Sequence, residues 1–402
     1  MDKKNKNPNV PNLRYYHSDK LSKVKLGNIC SITGGYAFDS RKMKSKGEYQ
    51  IIKMGNLYNG VLDLTRNPSF IDNPTKKELE YLIHKNDILI TLTGTVNKKD
   101  YGYTVQLNNP NNLLLNQRCA LIKPLNINEK YLFYLLNSNN FFKQFYASST
   151  GGTGNQTNVS INDMLNFNMY IANEKNQIII SEFLNKIDQR IETQIKIISS
   201  IESQIKSINN HVAFDSATNE LSIGNLFDIK TNSKILEKHD GKYCIVDMGT
   251  IDSNGNYITG KYTDDITSIL TKGTLVMPKD DIGGGKIICK TLYINESNKY
   301  VLSDHVFALK LRNSKYNPLY FSSLINSQYH NHNLKRLVTG SAQLGINQEN
   351  LNKYKLRFSD CLELQKKYSK LIQLINEKLF IEKKLLYDLY NQKNYLMKNM
   401  FI

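Results

Sequence analysis

The sequence predicts an α+β fold in which two similar globular domains are separated by two long antiparallel coiled-coil helices in a pseudo-twofold arrangement. Three observations predict it. The chain repeats itself in order, each repeat closes on a long heptad-patterned segment, and the stretch before each closing segment is rich in short β-type runs.

The repeat is read from collinear matches. Leu26-Gly27-Asn28-Ile29 returns as Ile223-Gly224-Asn225-Leu226, and the segment around Tyr49 to Gly55 returns around Tyr243 to Gly249. Tyr131-Leu132 through Ser138 matches Tyr320-Phe321 through Ser327, Ile161-Asn162 is matched with Ile346-Asn347, and a Gln leads each closing helix at Gln177 and Gln365. Within the repeats, Tyr49 to Leu57, Asp87 to Thr93, Cys119 to Lys123, Tyr243 to Met248, Thr274 to Met277 and Val306 to Leu311 have strand character, bounded by turn residues.

In the first closing segment Ile180, Leu184, Ile187, Ile191, Gln194, Ile198, Ile201, Ile205, Ile208 and Val212 step by fours and threes, a heptad seam with one polar member. A helix from Lys175 to Val212 rises roughly 55 Å at 1.5 Å per residue and needs a partner of similar length. The segment after Gln365 supplies one through Tyr368, Leu371, Ile375, Leu379, Leu386, Leu389, Leu396 and Met400, with Glu382 and Lys393 interrupting. Gln194 is expected to fix register, because a buried polar group is satisfied in one alignment. The resulting boundaries are a tail at 1–19, globular domains at 20–173 and 214–361, and long helices at 174–213 and 362–402.

The 402 residues, 40% apolar and 22% charged, describe a packed protein, and the net charge of +17 favours polyanionic partners, nucleic acid first. No apolar run reaches the ~18 to 20 residues that span a bilayer, and the start lacks an apolar leader core, so a cytoplasmic location is expected. The five cysteines (Cys30, Cys119, Cys244, Cys289, Cys361) form no metal or disulfide pattern and read as reduced thiols.

Motifs for catalysis fall short. Asn67-Pro68-Ser69-Phe70 and Asn317-Pro318-Leu319-Tyr320 approach the Asn-Pro-Pro-Tyr motif of adenine methyltransferases but lack the second proline and a preceding cofactor-binding unit, so they read as turn and helix-start residues. Lys279 to Lys286 imitates a phosphate loop, yet Asp280 replaces its first glycine and no Ser or Thr follows Lys286, so a turn with a basic tip is expected. His330 and His332 lie two apart on a helix and point to different sides.

What remains is a set of basic, amide and aromatic loop residues, which suit base edges and phosphates. In the first half these are Tyr36, Arg41, Lys42, Asn56 and Tyr58, then Asn97, Lys98, Lys99, Arg118, Asn155 and Gln156. In the second they are Lys230, Asn232, Lys234, Lys279, Lys286, His305 and Gln343.

Asn9 to Tyr15, Lys25-Leu26-Gly27-Asn28-Ile29, Gly34-Gly35, Asn116-Gln117-Arg118 and Gly152 to Ser160 then precede Gln177-Ile178, and the half repeats. This order resembles the specificity subunit of type I restriction-modification systems along essentially the whole chain. The second half departs from it in a reduced loop, Gly340 to Gly345, and a rougher helix seam. The resemblance implies two target-recognition domains, each reading half of a split double-stranded DNA sequence and held apart by two antiparallel helices. It implies two methyltransferase (modification) subunits docked on those helices, a restriction (motor-nuclease) subunit joining in some assemblies, and no catalysis by this chain itself. S-adenosylmethionine, ATP and Mg then belong to partner subunits, and no cofactor or metal is assigned here. The alternatives are a specificity subunit of another restriction-modification class, or a non-enzymatic coiled-coil interaction protein.

Overall fold

The computed structural model describes residues 21–401 apart from 59, 108–109, 152–155, 215–217, 259 and 342. The N-terminal segment through Tyr15 and the Gly152 to Asn155 stretch, with the candidate Asn155, therefore lie outside the described residues. Two compact units emerge. One runs to Thr193 and resumes at Leu386, and the other is Gln194–Leu385.

In the first unit the central sheet is antiparallel, in the order Cys30–Gly34, Cys119–Pro124, Ile88–Thr91, Thr104–Gln106. Side chains alternate across a strand, so Ile88 and Ile90 enter one core while Leu89 enters another. Both faces are thus covered. The second unit repeats the sheet as Phe227–Lys230, Val306–Leu311, Leu275–Pro278, Leu292–Tyr293, with Leu275 and Met277 on one side and Val276 on the other. A three-stranded sheet in each unit also recurs, centred on Tyr49–Ile52 and Tyr243–Val246, each with one parallel neighbour.

The repeat extends to single hydrogen bonds. Leu26 N–H donates to Phe167 O at 2.9 Å, and Ile223 N–H to Tyr354 O at 2.8 Å. A Cβ on Gly27 would sit 3.2 Å from Leu165, and one on Gly224 3.2 Å from Asn352, so the two glycines serve the same close approach. Ser138 and Ser327 each cap a helix, Asn139–Ala147 and Gln328–Lys335. One sequence match needs correction. Val159 N–H donates to Leu92 O and Ile346 N–H to Lys279 O, so Ile346-Asn347 corresponds to Val159-Ser160 and not to Ile161-Asn162. Ser160 and Asn347 are the matching caps of the following helices.

The long helices are Glu174–Phe214 and Leu362–Met400. They do not stand apart from the globules. Ile180, Leu184, Ile187 and Ile191 share the first unit's core with Leu389, Leu396, Met400 and Phe401. In the second unit Val212 enters the core, with Ile208 and Tyr368 packed against it. In the second seam Ile372, 3% exposed, takes the buried place expected of Leu371, which is 40% exposed. Its two polar interruptions have partners. Glu382 accepts from Gln194 Nε2 at 2.6 Å, and Lys393 pairs with Asp188 at 2.6 Å while Tyr134 donates to the same carboxylate at 2.8 Å.

A Gln joint ties each globule to its long helix. Gln177 Oε1 accepts from Asn128 N–H at 3.0 Å and Nε2 donates to Ala172 O at 2.8 Å. Gln365 does the same with Asn317 N–H at 3.0 Å and Ser359 O at 2.7 Å. The Tyr131 and Tyr320 hydroxyls then accept from Ala172 N–H and Ser359 N–H.

Cys30, Cys119 and Cys289 are buried, and burial pushes each thiol up to about 12, away from reactive thiolate. Among the described residues no helix is long and apolar enough to cross a membrane.

Candidate nucleic-acid interface

In the first unit the central sheet carries several candidates on the loop edge at one end of its strands. Gln117 N–H donates to Tyr36 O at 2.8 Å, and Leu92 N–H donates to Arg118 O at 2.8 Å. Leu92 leads into strand Thr93–Thr95, which pairs with Gln156–Asn158 so that Gln156 lies opposite Thr95. The next turn, 95–100, is closed by Asp100, whose carboxylate accepts from the Thr95 N–H and hydroxyl at 2.8 and 2.7 Å. Those bonds lower the carboxyl pKa against the raising effect of burial. Asn97, Lys98 and Lys99 form its exposed tip, Asn97 in left-handed backbone and Lys99 over the Tyr146 ring at 5.4 Å.

Arg41 and Lys42 are exposed on a single 3-10 turn, Ser40–Lys42. Arg41 is already paired with Asp39, Nη2 to Oδ2 at 2.8 Å, and hydrogen bonding from its guanidinium holds the Asp39 carboxyl below the usual range. Tyr58 is half exposed, edge-on to Tyr103 and beneath Arg66 at 5.2 Å. Tyr36 packs against Phe38 and Tyr81, with Lys77 over its ring at 5.9 Å. Arg66 and Lys77 were not singled out by the sequence, because nothing local links them to an aromatic ring.

Asn56 is a correction. It is 2% exposed, its oxygen accepts from Lys53 N–H, and its amide donates to Asp63 O and Arg66 O at 2.9 and 2.8 Å. Every polar group of that side chain holds the local turn, so none can reach a ligand.

The second unit builds the same edge from different residues. Lys279 N–H donates to His305 O at 3.0 Å, the counterpart of the Leu92 to Arg118 bond. Strand Asp280–Asp281 pairs with Leu344–Gly345, next to the exposed Gln343. In the 281–287 loop the Asp281 carboxylate accepts from Gly283 N–H and Ile287 N–H at 2.5 and 2.8 Å. Those N–H groups are aimed inward at the chain's own carboxylate, so the loop is a turn with Lys286 exposed on it and not a phosphate cradle.

Lys230 and Lys234 are exposed, and Lys279 lies over the Phe307 ring at 6.0 Å. His305 is held on both sides, Nδ1 at 2.7 Å from Asp280 and Nε2 at 3.2 Å from Asp304. Asn232 is a second correction: its amide donates to Ser268 Oγ and Leu302 O at 2.6 and 2.8 Å, which makes it a loop tie. Asn317 caps a helix with Pro318 at its first turn, and Asn67 sits in left-handed backbone. His330 is buried and His332 exposed, so the pair does not converge. Among the described residues no group of three or more His, Cys, Asp or Glu is placed to hold a metal ion.

This doubled loop edge coincides with a family assignment. The model of the type I restriction modification DNA specificity domain matches the chain twice, over residues 19–203 and 217–389. The chain belongs to the type I restriction-modification specificity family. A specificity subunit of this family is what the tandem match describes, and solved structures share its fold. The crystal structure of a type I restriction-modification S subunit from M. genitalium is 16% identical, with a TM-score of 0.62 over 97% of this chain and 98% of that one. A chain solved in work on type I restriction-modification complex assembly and conformational transition is 12% identical, with a TM-score of 0.53 over 94% and 97%. No curated protein matches the sequence significantly.

Proposed function

We propose that each unit of this specificity subunit reads one half of a bipartite double-stranded DNA target, and that the chain supplies recognition without catalysis. The observation that carries this reading is the duplicated edge. Two sheets of the same strand order present basic and amide residues on corresponding loops, Arg118 with Asn97 to Lys99 in one and His305 with Lys279 and Lys286 in the other. Such residues position a duplex by its phosphates and read base edges.

The long helices would set the separation of the half-sites and dock two modification subunits. They carry large apolar side chains in water, Phe380 at 71% and Ile381 at 64% in the second unit and Tyr387 at 66% in the first. These side chains are the contact face assigned to the modification subunits in this reading. S-adenosylmethionine, ATP and Mg belong to those partners and to a restriction subunit where one joins, in the cytoplasm. The test is selection of the full chain, assembled with its modification subunits, on a randomised duplex library across salt concentrations. Enrichment of two short motifs at a fixed spacing, with affinity falling steeply as salt rises, is the expected outcome. Salt-independent binding without a motif would leave only a coiled-coil interaction protein.

A further inference from the structure

Ten described residues other than glycine have positive φ, and seven of them are asparagine, the side chain that tolerates this backbone most readily. Arg118 at +74°, His305 at +61° and Cys289 at +62° are the others. Cys289 is buried and therefore out of reach of a ligand. Arg118 and His305 occupy the same place in the two units. Each carbonyl accepts the N–H that opens the next strand, from Leu92 and from Lys279, and each residue directly precedes or adjoins the strand that centres its sheet, Cys119–Pro124 or Val306–Leu311. Left-handed backbone is uncommon for an arginine, though a histidine adopts it more readily, and both units place a hydrogen-bonding side chain at this one position instead of the asparagine used at the other turns, which points to side chains kept for their chemistry.

We infer that Arg118 and His305 are corresponding specificity-determining residues, one for each half-site, an inference that rests on the function proposed above. Their surroundings give them different ligands. Arg118 is exposed and engages no carboxylate among the described residues, so its planar fork is open to the O6 and N7 acceptors of guanine. His305 sits between Asp280 and Asp304, whose side chains are 21% and 28% exposed. That group is rich in acceptors and suits the exocyclic amine of cytosine or adenine. The two units therefore read unlike bases from like positions.

Arg118→Gly and His305→Gly remove the side chains while favouring the observed φ, so the turns persist. The full chain, assembled with its modification subunits, is selected on a randomised duplex library. R118G should lose discrimination for guanine at one position of one half-site, by roughly 5- to 150-fold, with the other half-site unchanged. H305G should lose discrimination at one position of the other half. Arg118→Asn, also at ease in this backbone, gives the same loss of guanine preference if glycine loosens the turn. A split motif for the wild type with both variants unchanged, or a change shared by both half-sites, overturns this inference and leaves the proposed function standing. A wild-type chain that enriches no motif overturns both.

Discussion

Replacing Gln177 with leucine strips a joint between globule and helix of two hydrogen bonds at a site where Gln177 itself is 5% exposed. Ala172 O loses a 2.8 Å donor in a buried position, and Asn128 N–H loses a 3.0 Å acceptor in a half-buried one. An orphaned buried group costs about 1 to 3 kcal/mol, and the half-buried N–H recovers part of its loss from water, so the sum is about 2 to 4 kcal/mol. For a unit of this size that is a fall of roughly 4 to 16 °C in Tm. Gln365→Leu removes the matching bonds to Ser359 O and Asn317 N–H and should cost a similar amount in the second unit. Scanning calorimetry of the full chain reads both. A loss below about 1 kcal/mol in either variant, or a large loss in one alone, would show that the two sets of bonds do not do equal work.

Two further outcomes follow from particular side chains. His330 is buried, and desolvation lowers its pKa to about 4, so the fold favours the neutral ring. Its contribution is complete above about 6.5 and is lost as pH falls toward 4, about 2 kcal/mol by pH 5, a loss that His330→Gln should not show when Tm is compared at pH 7.5 and pH 5. Phe380→Ser with Ile381→Ser should leave Tm within about 2 °C, because both side chains are exposed, and should abolish co-purification with the modification subunits. Retained assembly would remove that face from the proposal.

The sequence disclosed the repeat and the first seam because burial recurs there every three or four residues, a signal that survives without any neighbour in view. The second seam was blurred at Leu371 and Ile372, adjacent apolar residues of which only packing selects one. The Ile161 match slipped by two because the loops before it differ in length, and a short Ile-Asn pair carries no information on which residue caps the helix. Gln177 and Gln365 stood out by position, but their role needed the distant carbonyls and N–H groups they join. Asn56 and Asn232 looked like ligand-facing amides, since an asparagine in a polar loop gives no sign that backbone groups many residues away consume its donors.

In the proposed function two equivalent units each own one half of a DNA target. Exchanging residues 20–165 for the corresponding segment of a relative with a different target, and sequencing the sites modified by the assembled complex, separates the two halves. A new sequence in one half-site, with the other half unchanged, is the expected outcome. A change in both halves, or in neither, would contradict it.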